Sequence, residues 1–151
     1  MMAGVLPPAA PAPSLNAQAG VALAVAGVAV AVDLAIYGIA RWIGVPMELP
    51  EPGSGDPPTL LPIGAVVAAA FVAVALAAGT LALLRQYQPE RATTTFVLAA
   101  AVFLAVSLYA PLSADATAAT KIALVLMHLA TGAITIVGLT LAVARRRPAP
   151  S

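Results

Sequence analysis

The chain has no cysteine, one tryptophan and one histidine, and only 9% of its 151 residues are charged. Without cysteine there are no disulfides, no thiolate nucleophiles and no cysteine-ligated metals. One histidine among few carboxylates leaves too small a ligand set for a metal centre. No Gly-rich phosphate loop, serine-nucleophile motif or nucleotide fingerprint is present. The seven basic residues form no run interleaved with aromatics, which argues against nucleic acid as a partner. These absences lead us to expect a non-enzymatic protein with no cofactor and no metal.

Apolar residues dominate what remains. They make up 62% of the sequence, and the mean hydropathy is +1.00. A soluble domain is usually about half apolar and about a quarter charged. A chain this short cannot bury such an excess in its own core, so lipid must cover the rest. Four stretches reach the roughly 20 apolar residues needed to cross a bilayer. They run from about Gly20 to Trp42, Leu60 to Leu84, Ala92 to Leu112 and Ile122 to Ala144. The expected fold is an all-α membrane protein, a bundle of four transmembrane helices occupying 20–144. Residues 1–19, rich in Pro and Ala and free of charge, read as a disordered tail. Residues 145–151 read as a basic tail. The first span is too long, and lacks the basic flank, for a cleaved secretory signal.

Between the spans, residues 44–59 form a Pro/Gly-rich loop carrying Glu48, Glu51 and Asp56. Arg85 to Arg91 is a tight hairpin broken at Pro89. In the last connection Pro111 is expected to end the third helix, with Ser113 or Asp115 capping the fourth. Arg85, Arg91, Arg145, Arg146 and Arg147 fall on one side, and Arg41 and Lys121 on the other. Since cytoplasmic loops carry the Lys/Arg excess, both termini are expected in the cytoplasm, with the five arginines as topology anchors in a plasma membrane. The acidic loop would then lie outside. It lacks the spacing of a calcium loop and reads as solvated.

All spans are rich in Ala. Gly27, Gly64, Gly79, Gly132 and Gly138 add further small residues, which in lipid allow helix backbones to approach closely. Such faces suit the bundle interior, and one of them could equally join a homo-oligomer or larger membrane complex.

Two ionisable residues lie deep in spans, Asp33 and His128. Charge at membrane depth is costly and normally faces the bundle interior or a wet cavity. At about 1.5 Å per residue, Asp33 lies roughly 2–3 Å outward of its span centre and His128 roughly 7 Å. Helical spacing places Ala26, Val30, Asp33, Tyr37 and Arg41 on one stripe, and Lys121, His128, Thr131, Gly132 and Thr135 on another. Ser107 lies at a similar level in the third span. Asp33, Tyr37, Ser107, His128 and Thr131 are therefore the candidate polar site, expected to open outward, with Asp33 and His128 within hydrogen-bond reach. Such a cluster can serve as a proton relay or small polar pocket, or simply as a hydrogen-bonded pair that fixes helix order.

The segments RWIGVPMELPEPG, LLRQYQPER and SADATAATKIALVLMHLATGAITI resemble a family of small four-helix membrane proteins of unknown function, widespread in actinobacteria. The resemblance covers most of Val21 to Ala144 and implies a four-span fold and no activity. A fainter similarity is to small multidrug transporters, four-span proteins with a carboxylate in the first helix. That family carries Glu where this chain has Asp33, and it lacks so long a Pro-rich loop. The expected role is an accessory or assembly subunit of the membrane, with lipid as the first partner. The alternative is a proton-coupled small-solute transporter built on Asp33 and His128.

Overall fold

The computed structural model describes residues 15–50 and 57–145. Among them are four helical spans long and apolar enough to cross a membrane. These are α1 (Leu15–Trp42), α2 (Ile63–Tyr87), a third made of α3 (Ala92–Ser107) and the short α4 (Tyr109–Ser113), and α5 (Ala118–Ala144). The chain is a multi-pass membrane protein built as an all-α bundle. At 28 residues α1 is about 42 Å long, more than the roughly 30 Å hydrocarbon layer, so its ends reach the headgroups or it tilts.

Several boundaries differ from the sequence reading, each for a local reason. α1 starts at Leu15 rather than Gly20, because no proline follows Pro13 until the helix is complete. Thus 15–19 is helix and not part of a disordered tail, while 1–14 lie outside the described residues, as do Glu51, Asp56, Arg146 and Arg147. The third span continues past Pro111 to Ser113. Proline lacks the N–H that would bond to the carbonyl four residues earlier, and that residue is Ser107, where α3 stops. The proline therefore interrupts the helix one turn upstream of itself instead of ending it. The cap of α5 is neither Ser113 nor Asp115. Thr117 caps it, accepting a hydrogen bond from the Thr120 backbone N–H at 3.2 Å, while the Ser113 hydroxyl donates back to Tyr109.

α1 packs against α2 and α5, and α3 packs against the same two helices from the other side. α2 and α5 also touch, so α1 and α3 occupy opposite corners. α1 and α5 are antiparallel, with Val25 facing Gly138 and Asp33 facing Thr131. One end of the bundle carries Arg85, Arg91 and Arg145 with the start of α1 and the end of α5, and is called here the terminal end. The other carries the 44–62 connection and the α4–α5 turn.

That second end is closed by the connection itself. Gly44, at φ +87°, ends α1. Its N–H bonds to Arg41 O, and Val45 N–H reaches Ala40 O, a pattern that needs a left-handed residue after the helix. The Arg41 guanidinium, exposed rather than on the buried stripe, donates to Pro46 O at 2.8 Å. Two short strands, β1 (Glu48–Leu49) and β2 (Thr59–Leu60), pair antiparallel, Glu48 with Leu60 and Leu49 with Thr59. The supposed solvated loop thus has a hairpin at its base. From it Met47, fully buried, inserts among Tyr37, Ala40, Val66, Leu124 and Met127. A second apolar cluster around Val25, Ala29, Val74, Phe96 and Leu139 fills the terminal half.

Only two of the five glycines meet another helix. A Cβ at Gly132 would lie 2.7 Å from Leu104 Cδ2, and one at Gly138 2.7 Å from Val25 Cγ2. Gly27, Gly64 and Gly79 face open space instead of a packed interface. The two close approaches differ in compliance. Leu104 can swing its terminal methyls aside, whereas a helical valine has essentially one χ1 rotamer. Gly138→Ala is therefore expected to cost about 1–2 kcal/mol, overpacking outweighing the gain in helix propensity. Gly132→Ala should be nearly neutral. Unfolding midpoints in mixed micelles check this, and equal midpoints for the two variants would contradict it.

Candidate functional site

Of the polar residues singled out, two meet. The Thr131 hydroxyl of α5 donates to Asp33 Oδ2 of α1 at 2.6 Å, within the short range for a hydroxyl on a carboxylate. Asp33 is 4% exposed and Thr131 9%. Their level is set by what surrounds them. Along α1, Asp33 falls between Ala29 of the terminal cluster and Tyr37 of the Met47 cluster. Along α5, Thr131 falls between Leu139 and Met127 of those clusters. The pair is thus a polar layer between two apolar ones. Thr131 is the midpoint of α5, so the layer lies deep in the bilayer.

The layer has a third member. Thr135, one turn from Thr131 on the same face, is 5% exposed. Its hydroxyl and Asp33 Oδ1 are both buried without a hydrogen-bond partner among the described residues. Side chains on a helix lean toward its N-terminus. On antiparallel helices this tips Asp33 toward the level of Thr135, and Thr135 toward that of Asp33. Thr135 was on the expected α5 stripe but was not among the candidate residues; its spacing of four from Thr131 was the available signal.

The other candidates do not join. The buried face of α5 runs through Thr120, Leu124, Met127, Thr131, Thr135 and Leu139. The expected stripe shares Thr131 and Thr135 with that face, but Lys121, His128 and Gly132 lie to one side of it, His128 about 60° round the helix from Thr131. His128 is half-buried and shares a row with Gly132, which faces α3. Its Nδ1–H donates to Leu124 O, a bond within its own helix. No ion pair or hydrogen bond joins it to Asp33 among the described residues. Ser107 donates to Leu104 O in α3, at the corner opposite α1. Tyr37 is buried beside the pair but turns its hydroxyl to Leu61 O at 2.9 Å, holding the connection down.

Nor is the cluster open toward the 44–62 end. Met47, Tyr37 and Met127 lie between it and that surface. No group of three or more metal-ligating side chains is found among the described residues. Of the anchors, Arg85, half-buried, and Arg91 and Arg145, exposed, all lie at the terminal end.

The model of a family of unknown function, DUF6069, matches residues 13–146. No curated protein and no solved structure matches the chain.

Proposed function

The chain belongs to this family of unknown function, so its role must be argued from its own geometry, and we propose that it is a non-enzymatic accessory or assembly subunit of a plasma-membrane complex. One observation carries the reading. The deepest ionisable group, Asp33, is spent on a bond between the first and last helices and is covered by Met47 and its neighbours. A carboxylate used in this way fixes helix order. We further propose that both termini face the cytoplasm, on the strength of the arginines at the terminal end. The partner would meet the bundle laterally. Mild-detergent extraction of the tagged chain after cross-linking in intact membranes is expected to recover it with specific protein bands or as a homo-oligomer. Recovery of the bare monomer alone would sink the reading.

A second reading is supported by the unpartnered Asp33 Oδ1 and Thr135 Oγ1. Buried polar atoms left unbonded are uncommon and mark places where a further polar species can act. In a proton-coupled transporter built on this layer, Asp33 would carry the proton and Thr131 and Thr135, rather than His128, would be its neighbours.

A further inference from the structure

At the terminal end a small cleft opens between α1, α2 and α5. Its walls are apolar or small, with Val21 from α1, Ala78 and Leu81 from α2, and Leu139, Ala142 and Val143 from α5. Polar groups also line it, Gln18 and Arg85. Arg85 stands two residues from the end of its helix, at the level where a spanning helix leaves the hydrocarbon, within one turn of the exposed Tyr87. Tyrosine favours that interfacial level. The Arg85 side chain is half-buried, and no carboxylate or carbonyl of the described residues pairs with it. Two more arginines, Arg91 and Arg145, share this end, against a single described carboxylate, Glu90.

A guanidinium held at a helix end and left without a partner among the described residues calls for an anion, and its planar donor set suits phosphate. The half-buried Ala78 and Val143 and the exposed Ala82 at the mouth of the cleft offer an apolar surface along which an alkyl chain can lie. One kind of molecule carries both at this spacing. We propose that the cleft binds an anionic phospholipid, with its phosphate on Arg85 and an acyl chain along Ala78, Ala82 and Val143. The small residues Ala78 and Ala142 shape the groove, since larger side chains there would fill it. Basic pockets between spanning helices recognise acidic headgroups in this way. The inference does not depend on the accessory role, on the partner, or on which leaflet holds the terminal end.

Native mass spectrometry of the full chain in mild detergent tests it, with added dioleoyl phosphatidylglycerol, dioleoyl phosphatidylcholine or inorganic phosphate. Phosphatidylglycerol is expected to remain bound at about fivefold lower concentration than phosphatidylcholine, the size of effect one basic side chain exerts near a headgroup. Arg85→Gln should bring the two lipids level. Ala142→Phe, which keeps the charge and fills the groove, should weaken both lipids. Arg91→Gln, outside the cleft, should leave the preference within about twofold, well below the effect of one headgroup contact. Equal binding of the two lipids by the unmodified chain would overturn the proposal. Loss of the preference in Arg91→Gln as well would assign it to diffuse surface charge, and complete displacement by millimolar phosphate would assign it to a free-anion site. Either result also overturns it.

Discussion

Thr131→Val is expected to destabilise the bundle by about 3 kcal/mol, more than removal of the carboxylate it serves. The substitution keeps the shape of the side chain and deletes only the donor to Asp33 Oδ2. Because Asp33 Oδ1 has no partner among the described residues either, the variant would leave both carboxylate oxygens buried and unbonded. Side-chain hydrogen bonds within membranes contribute only about 0.6 kcal/mol on average, because alternative partners are usually found. Here the acceptor is a carboxylate with no other partner among the described residues, so the cost should fall near the upper range for stranding a buried polar group. Asp33→Val should cost less, since a helical threonine without its acceptor can return its hydroxyl to the carbonyl one turn back. Asp33→Val/Thr131→Val should then recover most of what Thr131→Val alone loses. Reversible unfolding in graded mixtures of mild and denaturing detergent measures the three variants. An additive double variant, or Thr131→Val at wild-type stability, would show that the bond does not hold α1 to α5.

Met47 provides the second large effect. Its side chain is fully buried on a backbone at φ +52°, a left-handed conformation that costs an L-residue roughly 1–2 kcal/mol. Met47→Ala should lower stability by about 3 kcal/mol through the cavity it leaves. Met47→Gly leaves the same cavity but removes the backbone strain. The usual order is therefore expected to reverse, with glycine the milder substitution by about 1 kcal/mol. Thermal midpoints of the two variants, with protease sensitivity of the 44–62 connection as a local readout, check this. Alanine milder than glycine would mean that the positive φ costs nothing here.

These two sites show how far the sequence can be read. The four spans were legible because length and hydropathy alone decide them, and Asp33 and Thr131 were both legible as polar groups at depth. Their pairing was not. A helix that is apolar on every side gives no amphipathic signal to fix its rotation, so the residues alone do not say that Thr131, rather than His128 about 60° round α5 from it, meets Asp33. Ser107 failed for a topological reason: nothing in the residues says that α1 and α3 take opposite corners. The Met47 plug left the faintest trace, a few apolar residues inside a Pro-rich loop, and the bonds that hold it in place, Leu61 N–H to Met47 O and the Tyr37 hydroxyl to Leu61 O, span distances in sequence that no local pattern reports. Gly44 and Pro111, by contrast, act within one turn of themselves, and their effects follow from backbone chemistry alone.

The Asp33–Thr131 bond joins residues 98 apart, which has a consequence for how the protein is made. At about 5–20 residues per second, the first span is synthesised roughly 5–20 seconds before the last. During that interval the carboxylate is already on a membrane-bound segment while its hydroxyl donor has yet to be translated. The nascent chain must therefore keep α1 near the insertion machinery or in contact with headgroup water until α5 arrives. Docking of the last helix is then the step that makes Asp33 compatible with the bilayer interior, and a chain stalled before it carries an exposed acid that quality control can recognise.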